Sequence, residues 1–163
     1  MTRINGGGGA ARMVEINRAG VKDHGVVTTL LIDVAKLEGW HLEVDRDRWD
    51  RIIAQLLDSD RWTFLVAYEA EQPVGLAVAN WSITLKGARD RGRMMALIVE
   101  EDYRRQGVGT TLMKEALGAA RRRGCQEFEV VLETDDARIE EFYRRFEAYR
   151  EKKLFSWPCE ESD

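Results

Sequence analysis

The stretch Glu100-Glu101-Asp102-Tyr103-Arg104-Arg105-Gln106-Gly107-Val108-Gly109-Thr110 decides how this chain is read. Before it lies Arg93 to Val99, whose continuous apolar centre is typical of a strand buried on both faces. After it, Gly109, Leu112, Met113, Ala116, Leu117 and Ala120 fall on one face of a helix that closes on Arg121, Arg122, Arg123 and Gly124. Arginines suit the negative end of a helix dipole, and glycine suits the position just past it. The quoted stretch therefore joins a buried strand to a helix start. Two glycines one residue apart let the backbone approach a ligand closely. The unpaired amides of the first helical turn converge on one spot, an anion site that suits a pyrophosphate. No Gly-Lys-Ser/Thr follows, so this is not a P-loop, and the third glycine of a dinucleotide fingerprint is missing. Taken alone, the same glycines read equally well as a tight packing turn.

Working outward, Val14 to Asn17 alternates like a short strand. Val27, Leu30, Leu31 and Val34 recur at helical spacing, and the helix ends near Gly39. Trp49, Ile52, Ile53, Leu56 and Leu57 form a second stripe behind the capping residues Asp45 and Asp47. Thr63 to Glu69 and Val74 to Trp81 read as a hairpin turning at Glu71-Gln72-Pro73, and Thr84 to Gly92 reads as a loop. Phe128, Val130 and Leu132 alternate with Glu127, Glu129 and Val131 in a strand. Ile139, Phe142, Tyr143 and Phe146 give a further helical stripe, and Tyr149 to Trp157 reads as a last strand. The order β-α-α-β-β-β-α-β-α-β predicts an α/β fold, a mixed sheet with helices on both faces.

Composition narrows the function classes. The chain has 163 residues, 44% hydrophobic and 33% charged, with a formal net charge of -4, which fits a globular domain and disfavours nucleic-acid binding through overall charge. Apolar runs such as Met94 to Val99 fall far short of the ~20 residues of a membrane span. The Gly-rich segment 1–12 reads as a flexible leader, 13–158 as a single domain and 159–163 as a short tail, with cytoplasmic residence the default expectation. Cys125 and Cys159 make no disulfide framework, and with only His24 and His41 there is no metal-ligand pattern. His24 reads as a loop residue, Cys125 as a small packing group, and Arg121-Arg122-Arg123 as a helix end rather than an RNA patch.

The pattern Val99-x-x-x-Tyr103-Arg104-x-x-Gly107-x-Gly109, followed by a helix, a strand and a helix carrying Phe142-Tyr143-Arg144-Arg145, resembles the GNAT superfamily of acyl-CoA-dependent N-acetyltransferases. The resemblance spans nearly the whole chain apart from both tails. It implies a twisted mixed sheet of about six strands, splayed between strands four and five, with acetyl-CoA as cosubstrate and no metal. Main-chain groups of Leu97, Ile98 and Val99 would pair with the pantetheine arm, and an N–H near Ile98 would stabilise the oxyanion. Amides of Arg105, Gln106, Gly107, Val108, Gly109 and Thr110 would hold the pyrophosphate, with Arg104 anchoring the turn. Asp136 stands where the family has Asn at the start of the last helix. Tyr143 matches the tyrosine that protonates the departing thiolate; from periodicity alone it reads as one more stripe residue. Trp40, His41, Trp81 and Glu133 would line an acceptor pocket on the side of the first two helices. The partner is an amine, of a small molecule or a peptide. No nucleic acid or membrane is implied, and a homodimer through the C-terminal strand is an expectation.

The sequence also departs from that pattern. Arg93 and Met95 occupy the positions where relatives carry a basic Glu, so neither serves as general base. Glu100, Glu101, Glu133 and Asp135 remain as carboxylates, beside deprotonation through ordered water. Glu147-Ala148 replaces the usual Gly-Phe after the last helix. These departures keep open an alternative, a non-catalytic acyl-CoA sensor of the same fold.

Overall fold

The computed structural model describes residues 13–37, 45–85, 87–132, 136–147 and 150–156. In chain order they form β1 (Val14–Arg18), α1 (His24–Leu37), α2 (Arg46–Asp58), β2 (Trp62–Glu69), β3 (Gln72–Thr84), β4 (Arg89–Val99), α3 (Val108–Arg122), β5 (Glu127–Val130) and α4 (Ala137–Arg144). The chain divides into two units, Met1–Val130 and Val131–Asp163. The first holds a five-stranded sheet in the order β1-β2-β3-β4-β5. Neighbours are antiparallel except β4 and β5, which are parallel and joined through α3.

Each face of the sheet has its own apolar layer. Phe64, Val66, Leu76, Val78 and Ile98 pack with Val27 and Leu30 of α1 and Ile53 of α2. Trp49, Leu56 and Leu57 of the predicted α2 stripe join them. On the other face Ala79 and Trp81 pack with Ala120 of α3, flanked by Ala119, Cys125 and Phe128. Gly75 lets α3 sit this close. A Cβ there would lie 3.0 Å from Ile98 O and 3.1 Å from Leu112 Cδ1.

The ends of the helices follow from local chemistry. The Asp45 carboxylate accepts the Arg48 amide at 3.0 Å and caps α2. At the end of α3, Gly124 takes φ +71°, the Cys125 amide donates to Ala120 O and the Gly124 amide to Arg121 O, both at 3.0 Å. This is a Schellman closure, which requires a left-handed residue at that point.

Four expectations change. The hairpin turns at Ala70-Glu71 rather than Glu71-Gln72-Pro73, and Pro73 falls beside a register shift between Ala67 and Tyr68, where a missing donor is tolerated. The expected loop from Thr84 to Gly92 shortens, because ladder pairing runs out to Thr84↔Arg89. His24 opens α1 instead of lying in a loop. The last strand, expected from Tyr149 to Trp157, is absent among the described residues: 150–156 carry no ladder pairing, and Leu154 and Phe155 are both exposed, without the alternation of a half-buried strand.

Candidate active site

The site begins with a mismatch of strand lengths. β4 pairs with β5 only from Arg91↔Glu127 to Met94↔Val130, while β4 itself continues to Val99. At the same place β4 carries a bulge. Ala79 faces Met94 and Val78 faces Ala96, so Met95 is the extra residue, and its side chain is half exposed. Because the strand period is two, one extra residue moves later side chains to the other face. Met94 lies on the α3 side with Ala79, whereas Ala96 and Ile98 join the layer under α1 and α2.

The bulge and the ladder together decide which backbone groups face outward. The Glu100 amide donates to Val74 O at 3.0 Å, so Glu100 is of the hydrogen-bonded class toward β3. Alternation in an antiparallel ladder then turns the N–H and C=O of Ile98 toward Leu76, and those of Leu97 and Val99 toward the edge where β5 has ended. This corrects the expectation for Ile98. Its amide is committed to the ladder and its side chain to the core, so the outward amide nearest the bulge is that of Leu97.

The quoted loop follows directly. A 3-10 turn at Glu101–Tyr103 is tied back by Tyr103 Oη donating to Glu69 Oε2 at 2.8 Å. Arg104 Nε donates to Val99 O at 2.9 Å. Arg105 takes φ +60°, and Gly107, at φ +89°, is the N-cap of α3. The Gln106 side chain folds back onto Asp102 O at 2.5 Å. The first bond of α3 runs from the Thr111 amide to Gly107 O at 3.0 Å. Val108, Gly109 and Thr110 therefore present amides with no acceptor inside the helix, and the first turn carries no acidic side chain. A ligand with phosphate oxygens and an amide-bearing arm fits these groups: amides at the helix start, and beside them a strand edge with no ladder partner among the described residues.

In the second unit, Asp136 caps α4. Its carboxylate accepts the Arg138 amide at 2.9 Å and the Arg138 guanidinium at 3.0 and 2.7 Å. Hydrogen bonds from the Arg138 side chain and amide hold this carboxyl at about 2, well below the usual carboxylate range. Tyr143 lies on α4 with its ring edge-on to Phe142, centroids 5.1 Å apart. Burial pushes its phenol above the ordinary value.

The acceptor-side expectations fare unevenly. Trp81 is 1% exposed and packs beneath α3, its indole N–H donating to Thr63 Oγ1 at 2.9 Å. It is a core residue rather than a pocket wall, because its place in the ladder aligns it with Ala79 and not with Asn80. Trp40, His41, Glu133 and Asp135 lie outside the described residues. A feature absent from the expectations is a pair of cross-strand ion pairs. Arg93 donates to Glu129 Oε1 through Nε at 3.1 Å and Nη2 at 2.8 Å, and Arg91 Nε lies 3.8 Å from Glu127 Oε2. The signal was present as Arg-Gly-Arg at 91–93 against Glu-Phe-Glu at 127–129. Only the parallel register brings the two together.

Comparison with known proteins agrees with this geometry. The sequence profile described as the acetyltransferase (GNAT) family matches residues 28–148. N-alpha-acetyltransferase 30 of Schizosaccharomyces pombe is 28% identical over 92 residues, covering 56% of this chain and 61% of that protein. The human N-alpha-acetyltransferase 30 is 35% identical over 94 residues, covering 56% of this chain and 25% of that protein. The chain thus spans less than two thirds of these curated relatives. An aminoglycoside acetyltransferase from an uncultured soil metagenomic sample superposes with a TM-score of 0.79 at 17% identity, covering 91% of this chain and 97% of that one. A ribosomal-protein-alanine N-acetyltransferase from Brucella melitensis biovar Abortus 2308 superposes with a TM-score of 0.74 at 16% identity, covering 90% and 99%. The structural likenesses establish the shared fold, and the profile match over most of the length establishes the lineage: this chain belongs to the GNAT family of acetyltransferases.

Proposed function

We propose that the chain, over 13–158, transfers an acetyl group from acetyl-CoA to a primary amine by direct attack. The observation that carries this reading is the open edge of β4 at Leu97 and Val99, running into the free amides at the start of α3. The α3 amides bind the pyrophosphate. The outward groups of Leu97 and Val99 take the place of a neighbouring strand for the pantetheine arm, while Arg104 fixes where the two meet. The Leu97 amide points where negative charge develops on the thioester oxygen as the amine adds, and a donor placed there is worth about 3 kcal/mol. The C–S bond then breaks and Tyr143 gives its proton to the thiolate. A phenol kept neutral by burial suits that task. Positions 93 and 95 hold Arg and Met rather than Glu, so the amine loses its proton through water or through one of the carboxylates Glu100, Glu101, Glu133 and Asp135. Asp136 holds the first turn of α4.

The names of the partial relatives favour a peptide amino terminus as acceptor, and the solved structure of an aminoglycoside acetyltransferase keeps a small-molecule amine in view. The absence of Glu at positions 93 and 95 is the one observation that favours a second reading, an acyl-CoA sensor. Thiol release from acetyl-CoA across peptides, polyamines, aminoglycosides and amino acids separates them. Release with one class supports transfer. Tight acetyl-CoA binding with no release across the panel supports the sensor. No acetyl-CoA binding overturns both.

A further inference from the structure

The half of the sheet face not covered by α1 and α2 is charged, and its charges are ordered. Arg89, Arg91 and Arg93 occur at alternate positions of β4, so they share one side of the strand. It is the side of α1 and α2, because Arg93 stands in one cross-strand row with Asn80 and Trp62, and Trp62 packs against that layer. Gly92 and Phe128 mark the opposite side, where Phe128 meets Trp81 with ring centroids 6.1 Å apart. Across from the arginines, Glu127 and Glu129 on β5 are shielded, with side chains 18% and 15% exposed, while Arg91 and Arg93 are 36% and 42% exposed. Each carboxylate is already matched by its arginine. The strip therefore offers guanidinium hydrogens to whatever arrives. The two bonds from Arg93 to Glu129 use two of its five guanidinium hydrogens.

We propose that Arg91 and Arg93 form an acceptor-recognition strip for the carbonyl and carboxylate oxygens of a peptide, so that the preferred acceptor is a peptide amino terminus followed closely by acidic residues, not a polycation. This rests on the reading of Leu97 as the reacting end of the site. Arg93 is four residues from Leu97 along β4, about 13 Å, and Arg91 two residues further. An extended peptide whose amine lies at Leu97 brings its first ~six residues past both guanidiniums. Local charge outweighs the net charge of -4 here, because at physiological salt interactions fade beyond ~8 Å. Polyamines and aminoglycosides would find both carboxylates of this strip already matched by an arginine.

The test uses the full chain with acetyl-CoA present and two short peptides, fluorescein-labelled at the C-terminus, with free amino termini. They differ only in carrying Asp and Glu or Lys within the first ~six residues. Fluorescence anisotropy is expected to show the acidic peptide binding about tenfold more tightly, with the preference shrinking as salt rises. Arg91→Ser should remove about tenfold of that affinity, and so should the double variant Arg93→Gln/Glu129→Gln, which leaves no unmatched carboxylate behind. Equal binding of the two peptides, preference for the lysine peptide, no binding of either, or unchanged affinity in both variants would overturn the strip. Thiol release run in parallel keeps the two readings apart. Acidic-peptide binding that needs Arg91 but yields no thiol leaves the strip standing and removes acetyl transfer. Turnover of spermidine without acidic-peptide preference does the reverse.

Discussion

Arg104 donates its Nε hydrogen to the carbonyl oxygen of Val99 at 2.9 Å, joining the loop that starts α3 to the outward edge of β4. Val99 O is one of the groups that β5 would have paired had it continued. The arginine thus satisfies an acceptor at the end of the open edge and holds the helix amides next to it. The bond is solvent-exposed, so it adds only about 0.5–1 kcal/mol to folding.

Arg104→Gln is therefore expected to weaken acetyl-CoA binding about tenfold, measured by calorimetry, while lowering the unfolding midpoint only slightly. An unchanged dissociation constant would remove the anchoring role and leave the α3 amides to act alone.

Gly75 is the contact that seats α3. Gly75→Val puts a branched side chain against Ile98 O and Leu112, where even a Cβ is already tight. The expected cost is about 1–3 kcal/mol of stability, seen as a lower urea midpoint at an unchanged slope. Full stability would mean that α3 has room to move away from the sheet.

Ala70 adopts φ +54° in the two-residue turn between β2 and β3, a conformation that burdens a residue carrying Cβ. Ala70→Gly should raise stability by about 0.5 kcal/mol, the relief of strain less the greater chain entropy of glycine. Glu147, at φ +55° just after α4, occupies the same region, so Glu147→Gly should act in the same direction. A fall in melting temperature in both variants would show that other contacts of the native side chains dominate.

Tyr143→Phe keeps the ring against Phe142 and removes only the proton. If Tyr143 protonates the thiolate, kcat should fall on the order of 100-fold with KM for acetyl-CoA little changed. Because burial raises the phenol pKa, the wild-type rate should show no loss from tyrosine ionisation until the pH exceeds ~10. A basic limb below that, retained in the phenylalanine variant, would belong to another group.

Asp136 gives a pH signature with a definite sign. Its folded pKa is about 2, below the ~3.9 of an unfolded aspartate. The cap is therefore fully effective above about pH 4 and is lost as the pH falls through about 2. The Asp136 carboxyl carbon, followed by NMR, should titrate near the lower value, with α4 amide shifts changing in step. A midpoint near ~3.9 would mean that the bonds to Arg138 do not persist in solution.

Much of this protein was legible from neighbours along the chain. The α2 stripe, the Asp45 cap, the α3 stripe closed by Gly124, and the strand–turn–helix at 99–110 all rest on spacing and on residues that fix local dihedrals. Those are short-range properties, and periodicity reports them directly. The resemblance carried by Arg104, Gly107 and Gly109 set the family, which the profile match established.

What lay beyond the sequence depends on register between distant segments. That Leu97 rather than Ile98 turns its amide outward follows from the pairing of β4 with β3, and the bulge at Met95 decides which side chains lie beneath α1 and α2. Trp81 became core because its ladder position faces α3. The Arg91 and Arg93 pairs with glutamates 36 residues further on exist only because β5 lies parallel to β4 in one register. A strand's pattern alone cannot say where its partner starts or stops. Hydrogen-bond pairing between strands is a long-range choice, made when the whole sheet is assembled.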